Sequence, residues 1–260
     1  RDVNKAIYYL TLSAKQNNIN AQYYLGVINL FGQYIPKDMD RAIYYFTLAA
    51  NKGHDDSQFY LGLIYDKGWN EVKPDINKSM HYLTLSANQN NQAACYVLGL
   101  IYLNGKFFKI DIQKAIYYFT RSADQNNKYA QYRLGCIYLE NKHVEKNVKK
   151  AIYNFTLSAN QNFDEAQNLL GYLHMKGEYV ECNINKAIYY YHSAEQNNLD
   201  SLFNMGTFYY FGKHIKRDIE KSISLFKKLS NLNDPRAKNF LAIIYKNGDG
   251  VQKNIFMTIE

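Results

Sequence analysis

The chain has 260 residues, a formal charge of +8 and three cysteines, Cys95, Cys136 and Cys182. Three thiols, odd in number and unrelated in position, make neither a disulfide framework nor a metal quartet, and they favour a reducing compartment. Nothing approaches the roughly 20 consecutive apolar residues of a bilayer span. The lysines alternate with Asp38, Asp75, Asp111, Asp218 and Glu220 instead of forming a basic stripe, so nucleic acid is an unlikely partner.

From the first residues onward the chain repeats itself. Ala6, Ala42, Ser79, Ala115, Ala151, Ala187 and Ser222 mark one position, at spacings of 36, 37, 36, 36, 36 and 35 residues. A second marker runs as Leu25-Gly26, Leu61-Gly62, Leu98-Gly99, Leu134-Gly135, Leu170-Gly171, Met205-Gly206 and Leu241-Ala242. Such a period belongs to a stack of helical hairpins. Units start near residues 1, 37, 73, 110, 146, 182 and 217, with a partial eighth from 253, where Thr258 follows Ser222 by 36 residues. The missing first Met and the interrupted eighth copy read as a segment of a longer protein.

Each unit carries the signals of two helices. In one, Ser57, Leu61, Ile64 and Tyr65 fall at steps of three and four; in its partner, Ala42, Tyr45, Phe46, Ala49 and Ala50 do the same. Four residues before each recurring small residue stands Asp2, Asp38, Asp75, Asp111, Asn147, Asn183, Asp218 or Asn254, which predicts a helix N-cap. Gly32, Gly68, Gly105, Asn141, Gly177, Gly212 and Gly248 predict left-handed C-caps. The glycines of the Leu-Gly pairs sacrifice about 1 kcal/mol of helix propensity each; the expected compensation is close approach of the partner helix at its small Ala, with Ala242 marking a methyl that is tolerated. Helices of roughly 12 and 13 residues, separated by turns such as Gln16-Asn17-Asn18, are marginal alone and depend on stacking. The sixth unit lacks one residue around Tyr191-His192-Ser193-Ala194, which predicts a shortened helix and a small kink.

Ala21-Gln22-Tyr23-Tyr24-Leu25-Gly26, Gly32, Pro36-Lys37-Asp38-Met39-Asp40-Arg41-Ala42-Ile43-Tyr44-Tyr45-Phe46 and Ala49-Ala50 together resemble one Sel-one-like repeat, kin of the tetratricopeptide repeat. The resemblance extends along essentially the whole chain. It implies an all-α, right-handed superhelix of about seven helix-turn-helix repeats that serves as a scaffold for protein complexes. A secreted branch of the family carries a disulfide in each repeat, a pattern absent here. A lumenal branch is glycosylated, whereas the two sequons, Asn77-Lys78-Ser79 and Asn154-Phe155-Thr156, fall on predicted helices. The pentatricopeptide family has a similar period but not this Leu-Gly and Ala-Ile-Tyr-Tyr pairing.

With each Leu of Leu-Gly facing the core, the positions two before, two after and five after project to the opposite side. They read Tyr23, Val27, Leu30; Phe59, Leu63, Asp66; Tyr96, Leu100, Leu103; Tyr132, Cys136, Leu139; Asn168, Tyr172, Met175; and Phe203, Thr207, Tyr210. By resemblance this is the concave face. It is either a groove for an extended or helical peptide or a face packed between units, and the partner-binding set is its apolar members. Tyr8, Tyr44, Tyr117, Tyr153 and Tyr189, two residues after the recurring Ala, would form a convex ridge for self-association, unless compositional bias explains them.

No catalytic set can be assembled, and no cofactor or metal is expected. Gly105-Lys106-Phe107-Phe108 reads as a helix cap, and His54, His81, His143, His174, His192 and His214 occupy six different repeat positions. The expectation is a non-catalytic scaffold in the cytoplasm that binds a protein or peptide. The alternatives are a regulatory arm of a larger enzyme such as a protein kinase, and a lumenal adaptor of endoplasmic-reticulum degradation.

Overall fold

A computed structural model of the chain describes residues 2–69, 72–105, 109–140 and 144–252. Two compact units, residues 1–130 and 131–260, divide it. Unit 1 holds α1 (Val3–Lys15), α2 (Ile19–Phe31), α3 (Met39–Ala50), α4 (Asp55–Lys67), α5 (Ile76–Asn88), α6 (Gln92–Asn104) and α7 (Ile112–Ala123). Helix α8 (Lys128–Glu140) begins in unit 1 and continues into unit 2, which adds α9 (Val148–Ala159), α10 (Asp164–Lys176), α11 (Ile184–Ala194), α12 (Leu199–Phe211), α13 (Ile219–Asn231) and α14 (Pro235–Asn247). No strand occurs among the described residues, and no helix there is long and apolar enough to cross a membrane. The fold is all-α, built from repeated helix pairs.

The predicted N-caps form as expected. Asp38 accepts the Arg41 backbone N–H at 2.9 Å, and Asp2, Asp75, Asp111, Asn147, Asn183 and Asp218 act in the same way on the residue three ahead. Each bond satisfies one of the amides that a helix start leaves without a partner. At the other end of α2, Gly32 adopts φ 65° and returns its N–H to the Ile28 carbonyl; Gly68, Gly105, Gly177, Gly212 and Gly248 take the corresponding place. Asn141, His143, the Lys106–Phe108 stretch, Asn254 and Thr258 lie outside the described residues.

The turns between hairpins also have a rule. Asn17 (φ 67°), Asn90, Asn126, Asn162 and Asn233 enter the left-handed region, which Asn tolerates better than other side chains. The next residue caps the following helix at Asn18, which accepts from Ala21 N–H at 2.9 Å, and likewise at Asn91, Asn127 and Asp234, whereas Phe163 makes no such side-chain bond. Between α11 and α12 Asn197 holds this slot without entering the left-handed region. Asn197 and Asn198 both donate to the Ala194 carbonyl instead, and α11 is 11 residues long, the shortening that the deletion predicts.

The Leu of each Leu-Gly pair lies in the core, with Leu61, Leu98 and Leu170 fully inaccessible. The glycine beside it requires a correction to the sequence reading. A methyl on Gly26 would stand 2.6 Å from the ring of Phe46, and one on Gly99 2.6 Å from the ring of Phe119. Leu83, Phe155, Tyr191 and Phe226 meet Gly62, Gly135, Gly171 and Gly206 in the same way. The space is therefore reserved for the large side chain one helical turn beyond the recurring Ala, not for the Ala itself. Burying a phenyl ring returns more than the propensity lost at one glycine.

In several repeats a buried glutamine ties the hairpin to the preceding one. Gln22 Nε2 donates to the Ala14 carbonyl at 3.2 Å, Gln58 to Ala50 at 3.1 Å and Gln167 to Ala159 at 3.1 Å. These carbonyls lie in the last turn of their helices, where no intrahelical donor reaches them. The turn that ends the glutamine's own helix pair then reaches its side-chain oxygen, through Lys52 to Gln22 at 3.3 Å and Gln89 to Gln58 at 2.8 Å.

Candidate protein-binding surfaces

In unit 1 the predicted concave positions form seams between hairpins. Tyr23 stacks on His54 with ring centres 4.6 Å apart, and burial first, then neighbouring Tyr60, pushes its hydroxyl up to about 12. Val27 packs against the Phe46 core, and Leu30 is 4% exposed, so it presents nothing to a partner. Phe59 packs on the Leu83 and Leu98 cluster. Tyr96 lies between Phe119 and Tyr129, and Leu63, Leu100 and Leu103 are half-buried.

Unit 2 is similar, with one exception. Tyr132 is wedged between Phe155 and Phe163, and burial raises its hydroxyl to about 12. Leu139 is 3% exposed and belongs to the core, as Leu30 does. Met175 receives the Tyr191 hydroxyl at 3.9 Å. Phe203 packs on Phe226 and Phe240 beneath the Arg236 guanidinium, and Tyr210 donates to Asp249 at 2.6 Å. Tyr172, in contrast, is 42% exposed. It borders a cleft of about 320 Å³ with Asn168, Leu169, Asp200, Asn204 and Arg236, floored by Tyr191. Arg236 fixes one wall through ion pairs to Asp200 and Asp234, both at 2.7 Å.

The tyrosines two residues after the recurring Ala project outward. Tyr8, Tyr44 and Tyr117 in unit 1, and Tyr153 and Tyr189 in unit 2, are 55–66% exposed. The exposed His81 occupies the corresponding place on α5. Four of them meet the following tyrosine edge-on, as Tyr44 meets Tyr45 at 5.2 Å.

A second array of aromatic contacts was not read from the sequence. The lysine just before the recurring small residue lies over a tyrosine three residues after the Leu-Gly glycine: Lys78 over Tyr65 at 5.0 Å, Lys114 over Tyr102 at 5.1 Å and Lys150 over Tyr138 at 5.2 Å. Tyr65 and Tyr102 also stack on Tyr82 and Tyr118. His174 holds the same slot in its repeat and stacks on Tyr190 at 5.9 Å. The signal was present in the recurring Lys-Ala-Ile-x-Tyr string. Of the other histidines, His54 caps α4 through Nδ1, and His192 pairs with Glu195 at 3.1 Å.

Helical hairpins joined by these recurring contacts are matched by the Sel1 repeat model over residues 1–18, 19–54, 55–91, 92–127, 128–163, 164–199, 199–234 and 235–259. The chain belongs to the Sel1 repeat family. Each full Sel1 match joins a Leu-Gly helix to the helix that follows, so residues 19–54 contain α2 and α3, the pair locked at Gly26 and Phe46. The Sel1 chain is similar to the crystal structure of c5321, a protective antigen present in uropathogenic Escherichia coli strains displaying an SLR fold. The match has 25% identity and a TM-score of 0.91 over 99% of this chain. The chain spans 56% of that protein's length. It is also similar to a Sel1 repeat protein from Oxalobacter formigenes, with 26% identity and a TM-score of 0.77 over 99% of this chain and 75% of the other. No curated protein matches it. Sel1 repeat proteins are in general non-catalytic scaffolds for protein interaction.

Proposed function

We propose that the chain is a non-catalytic scaffold that holds a partner protein by an extended segment, and that in unit 2 this segment lies in the cleft at Tyr172. The observation that carries the reading is the contrast between Tyr172 and the rest of the predicted concave set. Tyr132 and Phe203 are spent on packing between hairpins, whereas Tyr172 is 42% exposed beside two carboxamides, Asn168 and Asn204. A carboxamide offers one acceptor and two donors, which suits a peptide group, and an exposed tyrosine supplies contact area with few rotamers to freeze. Ser201 donates to Asn168 Oδ1 at 2.9 Å and fixes the direction of that amide. The volume lies at the lower end of the range for ligand sites, enough for one or two side chains of a longer segment.

The proposal extends to the cytoplasm as the compartment. Asn154, one of the two sequon asparagines, is 9% exposed, and its amide donates to the Lys150 carbonyl at 2.8 Å. A glycan there would have to break α9.

The test is a peptide library selected on the full chain, followed by titration of the selected peptide against Tyr172→Ser, Asn204→Ala and Tyr44→Ser. Loss of binding in the first two variants, with helicity and unfolding midpoint unchanged, supports the cleft. Undiminished binding in both removes it.

A further inference from the structure

Three features of unit 2 coincide on the side of α11 and α13. The first is a cleft of about 740 Å³, within the range of ligand sites. Its apolar lining comes from Ile188, Met205 and Ile219, with Tyr189 and Tyr209 as aromatic walls.

The second is charge that no carboxylate answers directly. In unit 1 the basic residue of the first turn pairs with the acid that caps its helix: Lys5 with Asp2 at 3.3 Å, Arg41 with Asp38 at 3.2 Å, Lys78 with Asp75 at 3.7 Å and Lys114 with Asp111 at 3.5 Å. In unit 2 the caps of α9 and α11 are Asn147 and Asn183. They satisfy the same backbone N–H groups at 2.9 Å but bring no charge to Lys150 and Lys186. On α13, Lys221 donates to the neutral Tyr209 hydroxyl at 2.6 Å, while the Asp218 carboxylate takes the Lys221 backbone N–H. Lys216 is exposed at the rim. Asp218 and Glu220 border the cleft as well, and Arg217 is paired with Asp249 at 3.9 Å, which leaves Lys216 and Lys221 as the cleft's cations without a direct carboxylate partner among the described residues.

The third is Tyr189, which is 66% exposed at the cleft edge. A large aromatic side chain beside an apolar concavity is where a partner gains most from excluding water.

We infer that this cleft docks an acidic peptide segment of a partner protein. An apolar side chain of the segment enters between Ile188 and Ile219, and flanking carboxylates meet Lys216 and Lys221. An ammonium–carboxylate hydrogen bond is stronger than the ammonium–hydroxyl bond that Lys221 makes in the free chain, so exchange of its partner favours the bound state. The surface is distinct from the cleft at Tyr172 and requires a different partner chemistry.

The test uses the full chain and a short fluorescein-labelled peptide in which glutamates flank a Leu-Phe pair, with anisotropy as readout. The expected result is saturable binding that weakens as salt rises. Lys216→Glu combined with Lys221→Gln should weaken it about tenfold, and Tyr189→Ser independently by a similar factor. Tyr172→Ser should leave it unchanged. Both sets alter exposed side chains, and circular dichroism verifies that each variant remains helical. Equal binding of a peptide with Gln in place of Glu overturns the inference, as does insensitivity to Tyr189→Ser. Tighter binding of single-stranded RNA or of phosphatidylserine vesicles than of the peptide overturns it too, and would make the surface a general polyanion site.

Discussion

Arg121 donates from its guanidinium to the Ala87 carbonyl oxygen at 2.6 Å, in the repeat where Cys95 takes the place of the buried glutamine. Elsewhere Gln22, Gln58 and Gln167 satisfy the corresponding carbonyl. Arg121, on the paired helix α7, thus does what Cys95 on α6 cannot. Arg121→Ala should destabilise the chain by about 1 kcal/mol, the net worth of one hydrogen bond, because the Asn90 backbone N–H still donates to the Ala87 carbonyl at 2.9 Å. Cys95→Gln in that background should restore most of the loss. Urea unfolding of the two single variants and the double variant measures the coupling, and additive effects would show that the two positions are independent.

Gly99→Ala tests the locking of helix pairs. On an exposed helix the change would add about 1 kcal/mol of propensity. Here the new methyl would stand 2.6 Å from the Phe119 ring, and overpacking should cost about 1–3 kcal/mol net. A stabilised variant in thermal or urea unfolding would mean that the ring moves aside freely.

His174 makes unit 2 sensitive to acid. Burial first, and then Lys186 nearby, hold its pKa below the ordinary 6.5, against a raising contribution from Glu181, and its Nδ1 is buried without a partner. The folded state therefore binds fewer protons than the unfolded chain as pH falls below about 6.5. The neutral ring's contribution is complete above that pH and declines as pH drops toward the folded pKa. His174→Tyr, which installs the side chain of Tyr102 and Tyr138 in that slot, should flatten the decline. Unfolding midpoints at pH 7.5 and pH 5.5 provide the comparison; an identical slope in the variant would assign the acid sensitivity to other groups.

The three thiols should react in order of access. Cys182 is exposed, whereas Cys95 is inaccessible and Cys136 half-buried, and burial raises the pKa of both. Because thiolate is the reactive form, mild alkylation at pH 8 should label Cys182 first, and Cys95 only as its hairpin opens. Peptide mapping by mass spectrometry records the order. Early labelling of Cys95 would show that α6 opens locally in the native state.

The caps were legible because they depend on one residue and its distance along the chain: Asp38 has the short acceptor that Arg41 N–H requires, wherever the rest of the molecule lies. The burial of Leu61 and Leu98 followed from periodicity for the same reason. What lay between helices was harder to read. Ala42 and Phe46 share a face one turn apart, and only the packed structure tells which of them fills the space at Gly26. Gln58 resembles a surface residue until the Ala50 carbonyl is beside it. The concave set was read from a helical wheel with a single buried face, but α2 and α6 are covered on more than one side, which draws Leu30 into the core and half-buries Tyr96. Tyr172 stays exposed beside Asn168 and Asn204, polar neighbours that the apolar binding set left out.

The glutamine ladder has a mechanical consequence. Gln22 reaches back to Ala14 of the preceding hairpin, while Lys52 reaches Gln22 and Gln89 reaches Gln58 within one hairpin, so these bonds span at most about one period of sequence. Force applied along such an array meets a series of similar weak fasteners, not one strong clasp. Each can open and close while the others hold, so a stretched unit would lengthen in steps of one hairpin and regain its length when the load is released.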